Sequence, residues 1–203
     1  MNNIIKKLDK LIPSPQIELD YNKDYELLIA TILSAQCTDV RVNKVTKVLF
    51  EKYDIYTLAK EDQKIIENII RPVGSYTRKA EFIIKTSKML IKDFNGKVPN
   101  DRTYLENLPG VGRKTASVVL KNLFNEPAIA VDTHVARVSK RLGLAEENDS
   151  PYIIEQKLIK IIPREQLSKV GDQILLFGRY YCKSRRPLCE NCILRKECKK
   201  PLY

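Results

Sequence analysis

Apolar positions recur at intervals of three and four along the chain and predict a succession of helices, each with one buried face. Over residues 1–11, Ile4, Ile5, Leu8 and Leu11 share one side of a short basic helix that Pro13 and Pro15 end. The run YELLIATIL at 25–33 is nearly all apolar but about half the length of a membrane span, so it predicts a buried central helix. Thr38 or Asp39 caps the next, with Val42, Val45, Val48 and Leu49 on its inner face. Short helices are expected over 57–60 and 62–70, and a long one over 77–93 that a turn at Gly74 opens. Asn100 is a good N-cap for 101–107, where Tyr104 and Leu105 begin a stripe that Leu108 continues. After Gly112 the stripe is Ala116, Val119, Leu120, Leu123 and Phe124. An extended run, 125–131, leads to a helix with Val135, Val138 and Leu142 inside, ended by Gly143. Residues 148–151 start a helix that buries Ile153, Ile154, Leu158 and Ile161, and 170–181 supply the last long one. With few glycines (7) and no tryptophan among many Ile, Leu and Lys residues, the class is all-α.

The chemistry concentrates at 108–134. Pro109 stops one helix, and Gly110 and Gly112 permit positive φ with uncovered N–H groups, which backbone binding of an anion requires. The pattern is helix-hairpin-helix with a phosphate at the second N-terminus, although an ordinary helix–helix turn also uses such glycines. Lys114 falls in the first turn of the second helix, off its buried face. That helix climbs roughly 17 Å, and the extended run returns about 23 Å, which brings Asp132 back to the level of Lys114. Asp132 is the natural N-cap of the following helix, its carboxylate held by backbone N–H groups. A lysine near a fixed carboxylate beside a phosphate site suits imine chemistry on a sugar, because a neutral lysine is a nucleophile and a carboxylate can shuttle protons or stabilise a cationic sugar.

A formal charge of +11 points to a polyanionic partner, although a lysine-rich surface can simply be solvated. The N-terminus lacks the apolar core of a signal peptide, and no run approaches a membrane span, so a cytoplasmic, nucleoid-associated protein with reduced cysteines is expected. Of five cysteines, Cys182, Cys189, Cys192 and Cys198 crowd into C-x6-C-x2-C-x5-C. In a reducing compartment that reads as a metal site, tetrahedral zinc or a [4Fe-4S] cluster. Zinc sites tend to pair two C-x2-C knuckles and this pattern has one, which favours iron–sulfur. Lys183, Arg185 and Arg186 lie on a loop bracketed by two of these cysteines, a rigid basic edge suited to DNA phosphate or, more plainly, a solvated offset to an anionic cluster.

LPGVGRKTA followed by VDTH resembles the helix-hairpin-helix DNA glycosylase superfamily, and endonuclease III in particular, as do LSAQCTD at 33–39, the block PVGSYTRKA at 72–80, and the cysteine spacing. The resemblance runs from about residue 24 to Cys198. It implies Lys114 as nucleophile, Asp132 as carboxylate, Gln36 as the residue filling the gap left by a flipped base, and a [4Fe-4S] cluster on the four cysteines. Cys37, in the same block as Gln36, is more simply a packed thiol. Ser75 departs from the family, which places a leucine there as a wedge into the DNA stack; a hydroxyl cannot wedge in that way. His134, in the first turn after Asp132, is expected to contact a DNA phosphate or to pack at the domain junction.

The implied fold has two all-α domains: a six-helix barrel over 18–126 carrying the helix-hairpin-helix, and an iron–sulfur domain from 1–17 and 127–203, with DNA in the cleft between them. The implied activity is a bifunctional glycosylase and abasic-site lyase of base excision repair. It acts as a monomer on double-stranded DNA containing damaged bases, oxidised pyrimidines among them, or abasic sites, with no membrane partner. An adenine-mismatch glycosylase usually lacks the lysine, and a non-enzymatic iron–sulfur DNA-binding module needs neither Lys114 nor Asp132.

Overall fold

A computed structural model describes residues 1–200. Among them are eleven α-helices and two single 3-10 turns, and no strand. The chain divides into two compact units: Ile17–Phe124, and Met1–Gln16 with Asn125–Tyr203, the latter described as far as residue 200.

The continuous unit holds α2 (Asp24–Leu33), α3 (Asp39–Lys52), α4 (Ile55–Leu58), α5 (Gln63–Ile70), α6 (Tyr76–Phe94), α7 (Arg102–Asn107) and α8 (Arg113–Phe124). Its centre is α2, buried from Tyr25 to Leu33, with α3, α6 and α8 packed on it. A helix apolar on every side is stable only when neighbours cover it all round, and each aliphatic side chain so covered contributes about 1.5–3 kcal/mol. Its polar start is satisfied locally. Glu26 accepts from the N–H groups of Asn22 (2.7 Å) and Lys23 (3.2 Å), and Asp24 accepts from Val98 N (2.8 Å).

The split unit holds α1 (Asn2–Leu11), α9 (Thr133–Arg141), α10 (Pro151–Ile161) and α11 (Leu167–Tyr180). Both α1 and α9 pack on α11. Glycine sets the approach of α9 to α11, since a Cβ at Gly178 would come within 2.9 Å of the His134 Cβ. The extended run before α9 is buried through Ala128, Ile129, Ala130 and Val131. Ser168 on α11 serves its backbone, accepting from Ala128 N (3.2 Å) and donating to Glu126 O (3.2 Å).

Several local expectations need correction. Val48 is 43 % exposed, and Thr46 is buried in its place with its hydroxyl donating to Val42 O (3.1 Å). The inner stripe therefore runs 42, 45, 46, 49. On α10, Ile153 and Ile161 are exposed, because the buried stripe is Ile154, Leu158 and the following Ile162. The cap of α7 is Asp101, which accepts from Tyr104 N (3.0 Å), rather than Asn100. Asp54 starts α4 two residues early by accepting from Thr57 N (2.8 Å). No helix among the described residues is long and apolar enough to cross a membrane.

Candidate active site and cysteine cluster

The hairpin between α7 and α8 turns on Gly110. Its φ is +78°, and a Cβ there would lie 2.5 Å from Phe82 Cδ2, so both conformation and crowding demand glycine. Buried Thr86 of α6 donates to Pro109 O (3.3 Å) and holds the turn from beneath. Gly112 differs from expectation. It is exposed, outside the left-handed region, and a Cβ on it would touch nothing within 4 Å. Its carbonyl accepts from Ala116 N (3.0 Å), the first bond of α8. Glycine at 112 therefore leaves the start of α8 uncovered, where first-turn N–H groups have no intrahelical partner. Lys114 stands exposed in that turn.

In the split unit, Asp132 caps α9 as its spacing predicts. Oδ1 accepts from both His134 N and Val135 N at 2.8 Å, while Oδ2 has no protein donor among the described residues. The carboxylate is half-buried and fixed at a helix N-terminus. His134 is half-buried, with Nδ1 3.2 Å from Arg137 Nη2.

The four clustered cysteines line one cavity with Arg141, Leu142, Phe177 and Leu194. All are free thiols. Burial pushes the Cys192 thiol up, and the neighbouring sulfurs of Cys182, Cys189 and Cys198 push it further. Among the described residues no three His, Cys, Asp or Glu side chains converge on one ion-sized point. Lys183, Arg185 and Arg186 are exposed on the loop between the first two cysteines, and Arg186 is left-handed at φ 51°.

Two arginines on α9 that the sequence did not single out order this loop. Arg141 donates to Lys183 O (2.8 Å), Ser184 O (3.3 Å) and the Cys182 sulfur (3.3 Å). Arg137 donates to Cys182 O (3.1 Å) and Gly178 O (2.8 Å), so one guanidinium joins His134 to the first cysteine. Their i, i+4 spacing on the helix that Asp132 caps was the available signal.

Gln36 and Ser75 are both exposed and both left-handed without being glycine, at φ 55° and 45°. Ser75 is the N-cap of α6 yet makes no side-chain cap bond.

Residues 29–164 match the model of the HhH-GPD superfamily base excision DNA repair proteins. Endonuclease III of Bacillus subtilis (strain 168) is 45 % identical over 199 residues, 96 % of this chain and 90 % of that protein. The chain belongs to the endonuclease III family. A second endonuclease III, from Rickettsia felis, is 46 % identical over 98 % of this chain and 93 % of its own. A trapped endonuclease III–DNA covalent intermediate, an estranged-adenine complex, superimposes with a TM-score of 0.95 at 47 % identity, covering 98 % of this chain and 94 % of that one. The superfamily match includes Gln36, Ser75, Lys114, Asp132 and His134 and ends before the cysteines, which the endonuclease III relatives that cover nearly the whole chain reach.

Proposed function

We propose that this chain is a bifunctional DNA glycosylase and abasic-site lyase that excises oxidised pyrimidines from duplex DNA, with Lys114 as nucleophile and Asp132 as the assisting carboxylate. One observation carries the reading: over nearly its whole length the chain superimposes on an endonuclease III held in a covalent intermediate with DNA. An exposed lysine in the first turn after a helix-hairpin-helix suits that chemistry. Five free cysteines suit a reducing compartment, and we place the enzyme in the cytoplasm with the nucleoid DNA.

In the proposed reaction Lys114 gives up a proton and its amine attacks C1′. The N–C1′ bond forms as the bond to the base breaks, and the base leaves with the electron pair and takes up a proton. Asp132, fixed by its two backbone donors, stabilises the positive charge that develops on the sugar. The amine loses its second proton as the sugar ring opens to an imine. The imine acidifies the C2′ proton, whose removal expels the 3′ phosphate by β-elimination, and water then releases the lysine. The experiment that tests this is borohydride reduction during turnover on duplexes carrying one defined lesion, since only an imine is reduced to a stable adduct.

The cysteines support a [4Fe-4S] cluster. Four thiols and no carboxylate surround the cavity, its walls are apolar, and Arg141 supplies a cationic donor to the Cys182 sulfur. Cys182, Cys189, Cys192 and Cys198 would hold such a cluster, which would tie their segment together, so that Lys183, Arg185 and Arg186 would be held for phosphate contact. Protein purified without oxygen should contain about four irons per chain; stoichiometric zinc instead would overturn the assignment.

Gln36 and Ser75 are proposed to enter the DNA at the extruded base, and the uncovered N–H groups at Gly110 and Gly112 to bind phosphate. With a hydroxyl where the family uses a leucine wedge, the enzyme should favour lesions whose pairing is already weak. Ser75→Leu should raise excision from stable pairs and narrow that preference, while barely changing cleavage at pre-formed abasic sites, where there is no base to extrude. Equal effects on both substrates would remove Ser75 from the wedge position.

A further inference from the structure

Lys79, one turn into α6, is only 5 % exposed. Its ammonium has three donors and the structure uses all of them, on Leu33 O (2.9 Å), Ala35 O (2.8 Å) and Val73 O (3.0 Å). No carboxylate pairs with it among the described residues. Burial pulls its pKa below the usual lysine range, with Cys37 opposing. A buried, unpaired charge is an expensive way to fill space, so the identity of the three acceptors matters.

Leu33 and Ala35 close the C-terminal end of α2, immediately before Gln36. Val73 closes the 3-10 turn Arg71–Val73, immediately before Gly74 and Ser75. These are carbonyl ends that have lost their intrahelical donors, and a cation suits their dipoles. The same ammonium therefore ends both segments. Just beyond each end stands a non-glycine residue in the left-handed region, Gln36 at φ 55° and Ser75 at φ 45°. Such conformations persist only where the surroundings over-determine them. Two carbonyls from one loop and one from the other, on a single tetrahedral centre, supply that constraint and fix the distance between the two tips. The α6 backbone adds a fourth tie, from Lys79 N to Ser75 O (3.0 Å).

We infer that Lys79 is a positioning residue that holds Gln36 and Ser75 in one rigid arrangement, and that it governs base extrusion rather than the sugar chemistry. The inference rests on the reading of Gln36 and Ser75 as the residues that enter the DNA. The group involved is the lysine ammonium, since methionine matches the side chain's length without donating and the planar guanidinium of arginine directs its donors differently.

The test compares, at saturating DNA and single turnover, excision of an oxidised pyrimidine from a stable pair with strand cleavage at a pre-formed abasic site. Helical circular dichroism and melting are recorded alongside. Lys79→Met should lower the ratio of excision to cleavage by about tenfold to a hundredfold, the scale of a displaced positioning group. Lys79→Arg should lower it less, a partial rescue. In a Gln36→Ala/Ser75→Ala background, the Lys79 substitutions should leave the ratio where the double variant has already put it. A ratio unchanged by Lys79→Met, both reactions falling together with the folded fraction, or loss of fold in both Lys79 variants would each overturn the inference in favour of a purely structural lysine. If Gln36→Ala/Ser75→Ala itself leaves the ratio unchanged, the reading of the two tips fails and the inference falls with it. If the tips alter the ratio and Lys79 does not, the inference alone fails.

Discussion

Lys114→Gln should abolish the borohydride-stable adduct with abasic DNA and lower strand cleavage by at least about a thousandfold, the scale on which loss of an attacking group is felt. The fold should not contribute to that loss. Lys114 is exposed in the first turn of α8, and glutamine has nearly the same helix propensity, so the change in stability should stay within about 0.5 kcal/mol. DNA binding should survive as well, with the salt dependence of affinity reduced by roughly one phosphate contact if the ammonium lies near the backbone. Gel analysis after reduction, together with binding to an uncleavable duplex, separates these effects. An adduct of undiminished yield in the variant would assign the attack to another amine.

Asp132→Asn should produce the second large loss, about a hundredfold or more in turnover at saturating DNA, as expected when a charge that stabilises a transition state is removed. Asparagine caps helices as well as aspartate does, so the bonds from His134 N and Val135 N should persist. What the fold loses is one negative charge at a helix N-terminus, about 0.3–1 kcal/mol. The substitution thus separates the two roles of this side chain: a small fall in melting temperature with a large fall in rate marks a reacting carboxylate. A rate that falls only as far as the folded fraction would reduce Asp132 to a cap. His134→Gln is the companion measurement. We propose a phosphate contact for His134, and that variant should need more DNA to reach a nearly normal saturated rate; a loss as deep as that of Asp132→Asn would overturn the phosphate role.

Where a pattern reports burial directly, the sequence was readable. α2 has no polar face to mistake, and α9 announces itself by a capping carboxylate followed by Val135, Val138 and Leu142 on one stripe. The errors arose where an apolar residue lies beside a stripe instead of on it. Val48, Ile153 and Ile161 fit a loose helical period but sit on its margin, and hydrophobicity alone does not distinguish margin from centre. Adjacent polar residues at a helix start are similarly ambiguous, which is how Asn100 displaced Asp101.

The least legible residues were Arg137, Arg141 and Lys79. All three act on backbone carbonyls 41 or more positions away, or on the turn at Val73, and a carbonyl carries no residue-type signature. That the four cysteines gather at one cavity was legible for the opposite reason: their residue type and close spacing place them on one short segment. Gly110 was read correctly as a left-handed turn, but its contact with Phe82 came from a distant part of the chain and had no local trace.

The division of the split unit between the two parts of the chain has a consequence for biosynthesis. The apolar side of α1, Ile4, Ile5 and Leu8, is covered by α11, and its polar residues reach still later ones: Asp9 pairs with Lys169 (2.6 Å) and accepts from Gln173 (2.9 Å), while Asn3 and Lys7 hold Glu197. None of those partners exists until α11 has been translated, roughly ten to thirty seconds after α1 at ordinary rates of 5–20 residues per second. Residues 17–124 contain all of their own core and need not wait. Helix α1 is thus housed long after it is made, and the cysteine segment is fastened to it only once Glu197 has been translated.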